Sequence, residues 1–406
     1  MKCHFLFFII AKVHLRKRSS MQLIEVTSPR TQKEFLQVPF SIYRNDTNWI
    51  RPLDNDINSI FDPQKNKLYK HGDAIRWILK NDSGKLIGRV AAFINENTAH
   101  NSEYVTGGIG FFECINDQQS ANILFDGGKE WLSARGMEAM DGPINFGDRQ
   151  SWWGLQVEGF APPVYQMNYN PPYYIDLFEG YGFQIYFNQL IFNYPVDKPV
   201  PEIFLQKAER IFRSPAFRFD HIKKNQLEKY AADLTQIYNE AWGKMGHFKP
   251  TTVDQALATM KKMLPIMDEK IMWFGYFKDR PIAFFLMLPE INQIIRHLNG
   301  QMNLLRKLQF AWLRWRGVID KMFGVLFGVV PEFQGKGIDG ALIVAAGKVI
   351  QPMKKYKNLE MNWVGDFNPK MVKMVENLET TVVKRYRTYR KIFDPSKPFS
   401  RAPILD

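Results

Sequence analysis

The sequence predicts an α/β chain in which one order of elements occurs twice. Apolar strands alternate with amphipathic helices, the pattern of layered α/β structure. Both halves run through helices, a strand pair, a further strand, a helix and a strand. A glycine-rich turn, Gln334–Gly340, joins an apolar strand to an apolar helix in the second half. With 406 residues the chain is long enough for two domains.

In the first half, Met21–Val26 reads as an opening strand. Thr31–Asn45 has helical spacing, with Pro39 expected to kink or split it. Ala74–Lys80 and Lys85–Asn95 form a strand pair around Asn81–Gly84, and Gly107–Glu113 is a third strand. Gln118–Arg135 is a helix stopped by Gly136, followed by a short strand, Met137–Met140. Asn145–Tyr174 is loop-rich and dense in aromatics, so it reads as a structured wall. A helix ending at Gly182 and a strand, Gln184–Asn193, close this half.

Tyr194–Pro201 carries three prolines and reads as a linker. Residues 21–194 and 195–406 are therefore expected as two domains, with 1–20 an extension or a mis-assigned start. The second half has helices at Glu202–Arg213 and Leu227–Trp242 and a strand pair at Lys270–Phe277 and Pro281–Pro289. Then come a strand at Lys321–Val330, a helix at Asp339–Ile350, a strand at Leu359–Val364, a helix at Lys370–Leu378 and a last strand at Arg385–Phe393.

Lys and Arg number 54 against 41 Asp and Glu, a net charge of +13 that favours an anionic partner. No recognition helix or RNA-binding motif accompanies the charge, so nucleic acid is not expected. Two cysteines, Cys3 and Cys114, make neither a disulfide framework nor a metal cluster. The seven histidines show no metal-ligand spacing, and no metal is expected. Phe5–Ala11 is too short to span a bilayer, which needs about 20 apolar residues. A cytoplasmic protein, peripheral on the inner membrane face, is the expectation.

The sharpest feature runs from Val329 and Val330 through Gln334, Gly335, Lys336, Gly337, Ile338, Asp339 and Gly340. Glycines let a tight turn expose successive N–H groups, and a helix N-terminus adds partial positive charge. Such a turn can hold a pyrophosphate. It matches neither the P-loop nor the dinucleotide fingerprint.

This segment resembles the acyl-CoA loop of GNAT acyltransferases, Gln/Arg-x-x-Gly-x-Gly/Ala after Val-x-Pro. Val329, Pro331, Gln334 and Gly337 match, and Asp339 departs from it. Glu360–Asn368 resembles the next strand of that family with an Asn at the following helix start, and Lys384–Tyr389 its closing strand. The tyrosine that many members place seven residues after that Asn is Val375 here. Asn48–Leu53, Gly142-Pro143, Tyr169–Tyr174, Tyr238–Trp242 and Pro289–Gln293 resemble a narrower group, two-domain bacterial proteins similar to ceramide synthases.

The resemblance implies tandem GNAT-like domains, mixed sheets flanked by helices. It implies one acyl-CoA site, held by the loop and Asn368, and transfer of an acyl group to a primary amine, in this group a sphingoid-type lipid. A backbone N–H near Val329 or Val330 would meet the oxyanion. Acetylation of a small soluble amine and non-catalytic acyl-CoA or lipid binding are the alternatives.

Amide formation from a thioester needs a base for the amine proton. Glu360 and Glu290 are the candidates, Glu360 sharing a strand face with Asn362 and equally able to sit in a salt bridge. Asn292 and Gln293 are placed to bond a substrate amine or hydroxyl, or to cap a loop. Asn368 would cap its helix. His247 is a lesser base candidate; Tyr386 and Tyr389 are thiolate donors or paired strand aromatics. No nucleophile motif is present, which favours direct attack.

Asn303–Arg316 places Leu304, Leu305, Leu308, Ala311, Trp312 and Trp315 on one helical face with Arg and Lys beside it. Such a face fits either a core or an anionic bilayer interface.

Overall fold

The computed structural model describes residues 21–147, 149–243 and 250–405. The extension at 1–20 and His247 lie outside them.

The first half contains β1 (Gln22–Glu25), α1 (Pro29–Ile42), α2 (Asp54–Ile60), β2 (Gly72–Lys80), β3 (Leu86–Asn95), α3 (Glu96–Ala99), β4 (Thr106–Cys114), α4 (Gln118–Ser133), β5 (Ala139–Gly142), β6 (Leu155–Glu158), α5 (Tyr174–Tyr181) and β7 (Gln184–Pro195). The second contains α6 (Glu202–Phe212), β8 (Phe217–His221), α7 (Leu227–Trp242), α8 (Val253–Met263), β9 (Met272–Phe277), β10 (Arg280–Pro289), α9 (Asn292–Ile295), α10 (Leu304–Trp315), β11 (Lys321–Val329), α11 (Ile338–Ile350), β12 (Asn358–Met361), β13 (Val364–Gly365), α12 (Pro369–Asn377) and β14 (Thr381–Ile392).

The strands make one sheet, ordered β1-β2-β3-β4-β5-β14-β7-β12-β11-β10-β9-β8. Each half has an antiparallel run ending in a parallel pair joined through a helix: β4 and β5 through α4, β11 and β12 through α11. The last strand, β14, lies between β5 and β7. Only residues far apart in sequence make this closure, and it stitches the chain's end into the sheet of the first half.

The pairing of β11 with β12 runs from Lys321 opposite Asn358 to Gly324 opposite Met361. Beyond it the Asn362 N–H donates to Gly324 O, and the chain swings to β13, which pairs with β7. The expected single strand Leu359–Val364 is thus broken, and the edge of β11 is left open beside the glycine-rich turn. A bulge between Leu286 and Met287 sets β10 against β11 at the same level.

The corresponding divergence in the first half is filled. The Ile144 N–H donates to Ile109 O, and a Cβ on Gly110 would stand 1.8 Å from Ile144 O. No substrate chain can pass where two backbones meet so closely.

Pro39 does not split α1. The helix runs through it, Pro39 is buried, and its carbonyl accepts the Tyr43 N–H. The Ser28–Thr31 capping box and the burial of Phe35 and Val38 offset the one hydrogen bond that proline removes. The aromatic wall contains a short strand, β6, held against β14.

Candidate active site

A cavity of about 360 Å³ opens where β7, β12 and β14 meet the end of β10. Glu290, Asn292, Lys321, Glu360 and Lys384 all line it, with Pro162 and Pro163 of the aromatic segment opposite. The three residues expected to do chemistry, Glu360, Glu290 and Asn292, share one space.

Strand alternation puts Glu360 there. Its neighbour Leu359 turns into the hydrophobic core. Register with β7 sets Glu360 opposite Asn193, and β14 brings Lys384 across. Lys384 Nζ donates to Glu360 Oε1, and Lys321 Nζ donates to Oε2 at 2.9 Å. Burial pushes the Glu360 carboxyl up, but the two ammonium groups outweigh it and hold the group below its ordinary range. Glu360 is therefore a paired carboxylate, poorly suited to take a proton. Burial drives the Lys384 ammonium down, against the pull of Glu360.

Among the described residues, no cation is hydrogen-bonded to Glu290. Its carboxylate accepts the N–H of Tyr165 at 3.0 Å and of Asn292 at 2.8 Å. Burial pushes its carboxyl up to about 7, against those two N–H groups, and the charge of Glu360 adds to the rise. A carboxyl with this pKa can exchange a proton near neutral pH. Asn292 donates Nδ2–H to Pro163 O at 2.9 Å, fixing the wall of the cavity. Gln293 instead holds the start of β11, donating to Asp320 and accepting the N–H groups of Asp320 and Lys321.

At the other end of β11 lies the glycine-rich turn. Gly335 and Gly337 have φ of +70° and +84°, the left-handed region that glycine enters without strain. Gln334 folds back, its Nε2 donating to Val329 O at 2.9 Å, so that amide pins the turn to β11. Gly337 is the N-cap of α11, and no side chain caps that end. A Cβ on Gly335 would meet nothing within 4 Å, so the turn is open on that side. Lys336 is exposed on the turn, and the stem of Lys207, from α6, lies against Gly337. An open, uncapped, cation-flanked helix start fits a pyrophosphate. Asp339 sits half-buried in the first turn and opposes an anion there.

The matching helix of the first half differs. Asp117 caps α4, its Oδ2 accepting the Ser120 N–H at 2.7 Å. A carboxylate already occupies that helix end.

Four expected contributors make bonds within the protein. The Val330 N–H donates to Ile282 O, so it is not free for an oxyanion. Asn368 caps α12, accepting the Met371 N–H at 3.1 Å. Tyr386 donates to Asn168 O and Tyr389 to Glu179, both from buried positions in the sheet of the first half. Val375, also buried, offers no proton. Sequence reasoning missed Lys384, Lys321 and Lys207. The first two carry no local motif, and Lys207 meets the turn only through packing of α6 on α11.

No family model matches the chain. It is 27% identical over 385 residues to a bacterial ceramide synthase of Caulobacter vibrioides, covering 92% of this chain and 98% of that protein. It is 29% identical to protein YghO of Escherichia coli, covering 88% of this chain and 92% of that protein. Among solved structures it is similar to a tandem GNAT protein from the clavulanic acid biosynthesis pathway, with a TM-score of 0.53, 8% identity and coverage of 93% and 100%. A glucosamine N-acetyltransferase region in a fungal multi-domain protein gives a TM-score of 0.52 at 13% identity over 92% of this chain. The chain spans 38% of that fungal protein. The fold is that of tandem GNAT domains.

Proposed function

We propose that this chain, built on an N-acyltransferase fold, moves a long acyl group from acyl-CoA to the primary amine of a lipid of sphingoid type at the inner membrane face. The observation that carries the chemistry is the convergence of Glu290, Asn292 and Glu360 on one cavity at one end of β11, with the open turn Gln334–Gly340 at the other. The likeness along nearly the full length to a ceramide synthase supports the lipid acceptor.

In this reading Gly335, Lys336, Gly337 and the first N–H groups of α11 hold the pyrophosphate of acyl-CoA, with Lys207 beside them. The open edge of β11 receives the thioester arm. The division of labour between halves is residues 195–406 for the cofactor and 21–194 for part of the wall. The filled divergence at Gly110 and the capped start of α4 support one site rather than two.

The amine nitrogen attacks the thioester carbonyl carbon. The C–N bond forms, the C–S bond breaks, and the thiolate leaves with CoA. Glu290 accepts the proton that nitrogen sheds, and that proton ends on the departing thiol. Its pKa of about 7 makes it a stronger base than an ordinary carboxylate, with about half of it ionised at neutral pH. Glu360 acts by position, holding the ammonium groups of Lys321 and Lys384 along the cavity wall. Direct attack needs no acyl-enzyme.

Asp339 and Val375 favour a second reading, acyl-CoA binding without turnover. Thiol release from palmitoyl-CoA and acetyl-CoA, with sphinganine or a small soluble amine, separates the readings. Release that needs palmitoyl-CoA and sphinganine is the expected result. Release with acetyl-CoA and the small amine alone would assign a soluble substrate. Binding without release under every condition would leave the second reading.

A further inference from the structure

Helix α10 is inserted between two residues that line the cavity, Arg296 and Lys321. It is held by a short inner contact. Phe310 and Leu313 pack on the core, Asn303 caps its start, and Gly317 ends it with φ of +72°. None of its residues is fully buried.

Its apolar face points away from the protein. Leu304, Leu305, Leu308, Trp312 and Trp315 are 74%, 75%, 61%, 51% and 82% exposed. The face read from the sequence as apolar is the outward one, and the residues off that face, Phe310 and Leu313, are the anchors. A monomer pays a hydration penalty for such a stripe unless something covers it.

Charge selects the cover. Between Ile291 and Ile319 there are five Arg and Lys residues and no Asp or Glu. Arg306, Lys307, Arg314 and Arg316 flank the exposed stripe. Arg306 and Arg314 bond neutral groups, Gln309 Oε1 and Met267 O, and neither is in an ion pair among the described residues. Apolar residues with tryptophan, bordered by cations alone, match the boundary of an anionic bilayer, where rings and aliphatic chains enter and cations meet lipid phosphates. A second copy of this chain would bring the same four cations to the same stripe and repel.

We infer that α10 is a membrane-docking helix that seats the protein on an anionic bilayer with the cavity beside it. The inference names the surface behind the lipid-acceptor reading. It rests on that reading only for the purpose of docking, since vesicle binding is measured without acyl transfer and either can fail alone.

The test is sedimentation of the purified full chain with phosphatidylglycerol–phosphatidylcholine vesicles, with pure phosphatidylcholine vesicles, and without lipid. Exposed positions tolerate substitution, so Leu305→Glu/Trp315→Glu should fold, which circular dichroism checks. A second variant, Arg306→Gln/Lys307→Gln/Arg314→Gln, removes charge only. The wild type should pellet with anionic vesicles, with a blue shift of tryptophan emission. The first variant should bind at least tenfold more weakly, and the second should lose the preference for anionic lipid. Wild type that stays in the supernatant, a first variant that binds as well as wild type, or equal binding to both vesicle types would overturn the inference. A dimer in solution that the first variant dissociates would also overturn it and give the face to a second copy.

Discussion

Lys384, near the chain's end on β14, donates to Glu360 on β12, and each side chain is 3% exposed. This pair spans the strand β7 that separates them in the sheet, and it ties the closing strand to β12. Removing one member of a buried pair leaves the other charged and dry, at a cost of about 3–5 kcal/mol. Glu360→Gln should therefore lower unfolding free energy by about 3 kcal/mol in denaturant titration. Glu360→Leu/Lys384→Met should recover much of that loss. A single variant as stable as wild type would show that the pair carries no structural weight.

Glu290 sets a pH dependence. Its folded pKa of about 7 stands above the ordinary 4.5, so ionising it works against the fold. Its contribution is fully present below pH 4.5 and is lost as pH rises through 7. Relative to wild type, Glu290→Gln should gain about 3 kcal/mol between pH 4.5 and 8. Activity runs the other way, because the base must be ionised. The wild-type kcat/KM should rise with pH to a bend near 7, and Glu290→Gln should lack that bend and be about a hundredfold slower. An unchanged profile in the variant would remove Glu290 from the chemistry.

The two helix starts make opposite predictions. Lys207→Glu/Lys336→Glu should weaken CoA binding about tenfold in calorimetry, with the effect shrinking as salt rises. Asp117→Ala should leave CoA affinity unchanged while costing about 1 kcal/mol of stability through the lost cap. CoA affinity that responds to Asp117 and ignores the two lysines would place the cofactor in the first half.

What the sequence made legible was local chemistry. The turn Gln334–Gly340 declares itself because glycines with φ above zero and a following apolar helix are neighbours in the chain. Glu290 and Glu360 were both candidates for the base, but which one was free of a cation depended on Lys384, reached only when β14 inserts between β5 and β7. That closure leaves no short-range trace. The break at Asn362 was equally hidden, since both flanks look like one strand. The capping box of Thr252 and Gln255 was a visible signal for α8 that went unread. The outward turn of α10 needed Phe310 and Leu313 to be seen packing, because a helical wheel shows a stripe without showing its direction.

The most direct measurement is mass-spectrometric detection of the N-acyl product from palmitoyl-CoA and sphinganine, with wild type, Glu290→Gln and Gly337→Trp. The account predicts the amide with wild type, about a hundredfold less with Glu290→Gln at full acyl-CoA occupancy, and none with Gly337→Trp, whose turn cannot seat the cofactor. Undiminished amide from Glu290→Gln, or no amide from wild type that binds both substrates, would contradict it.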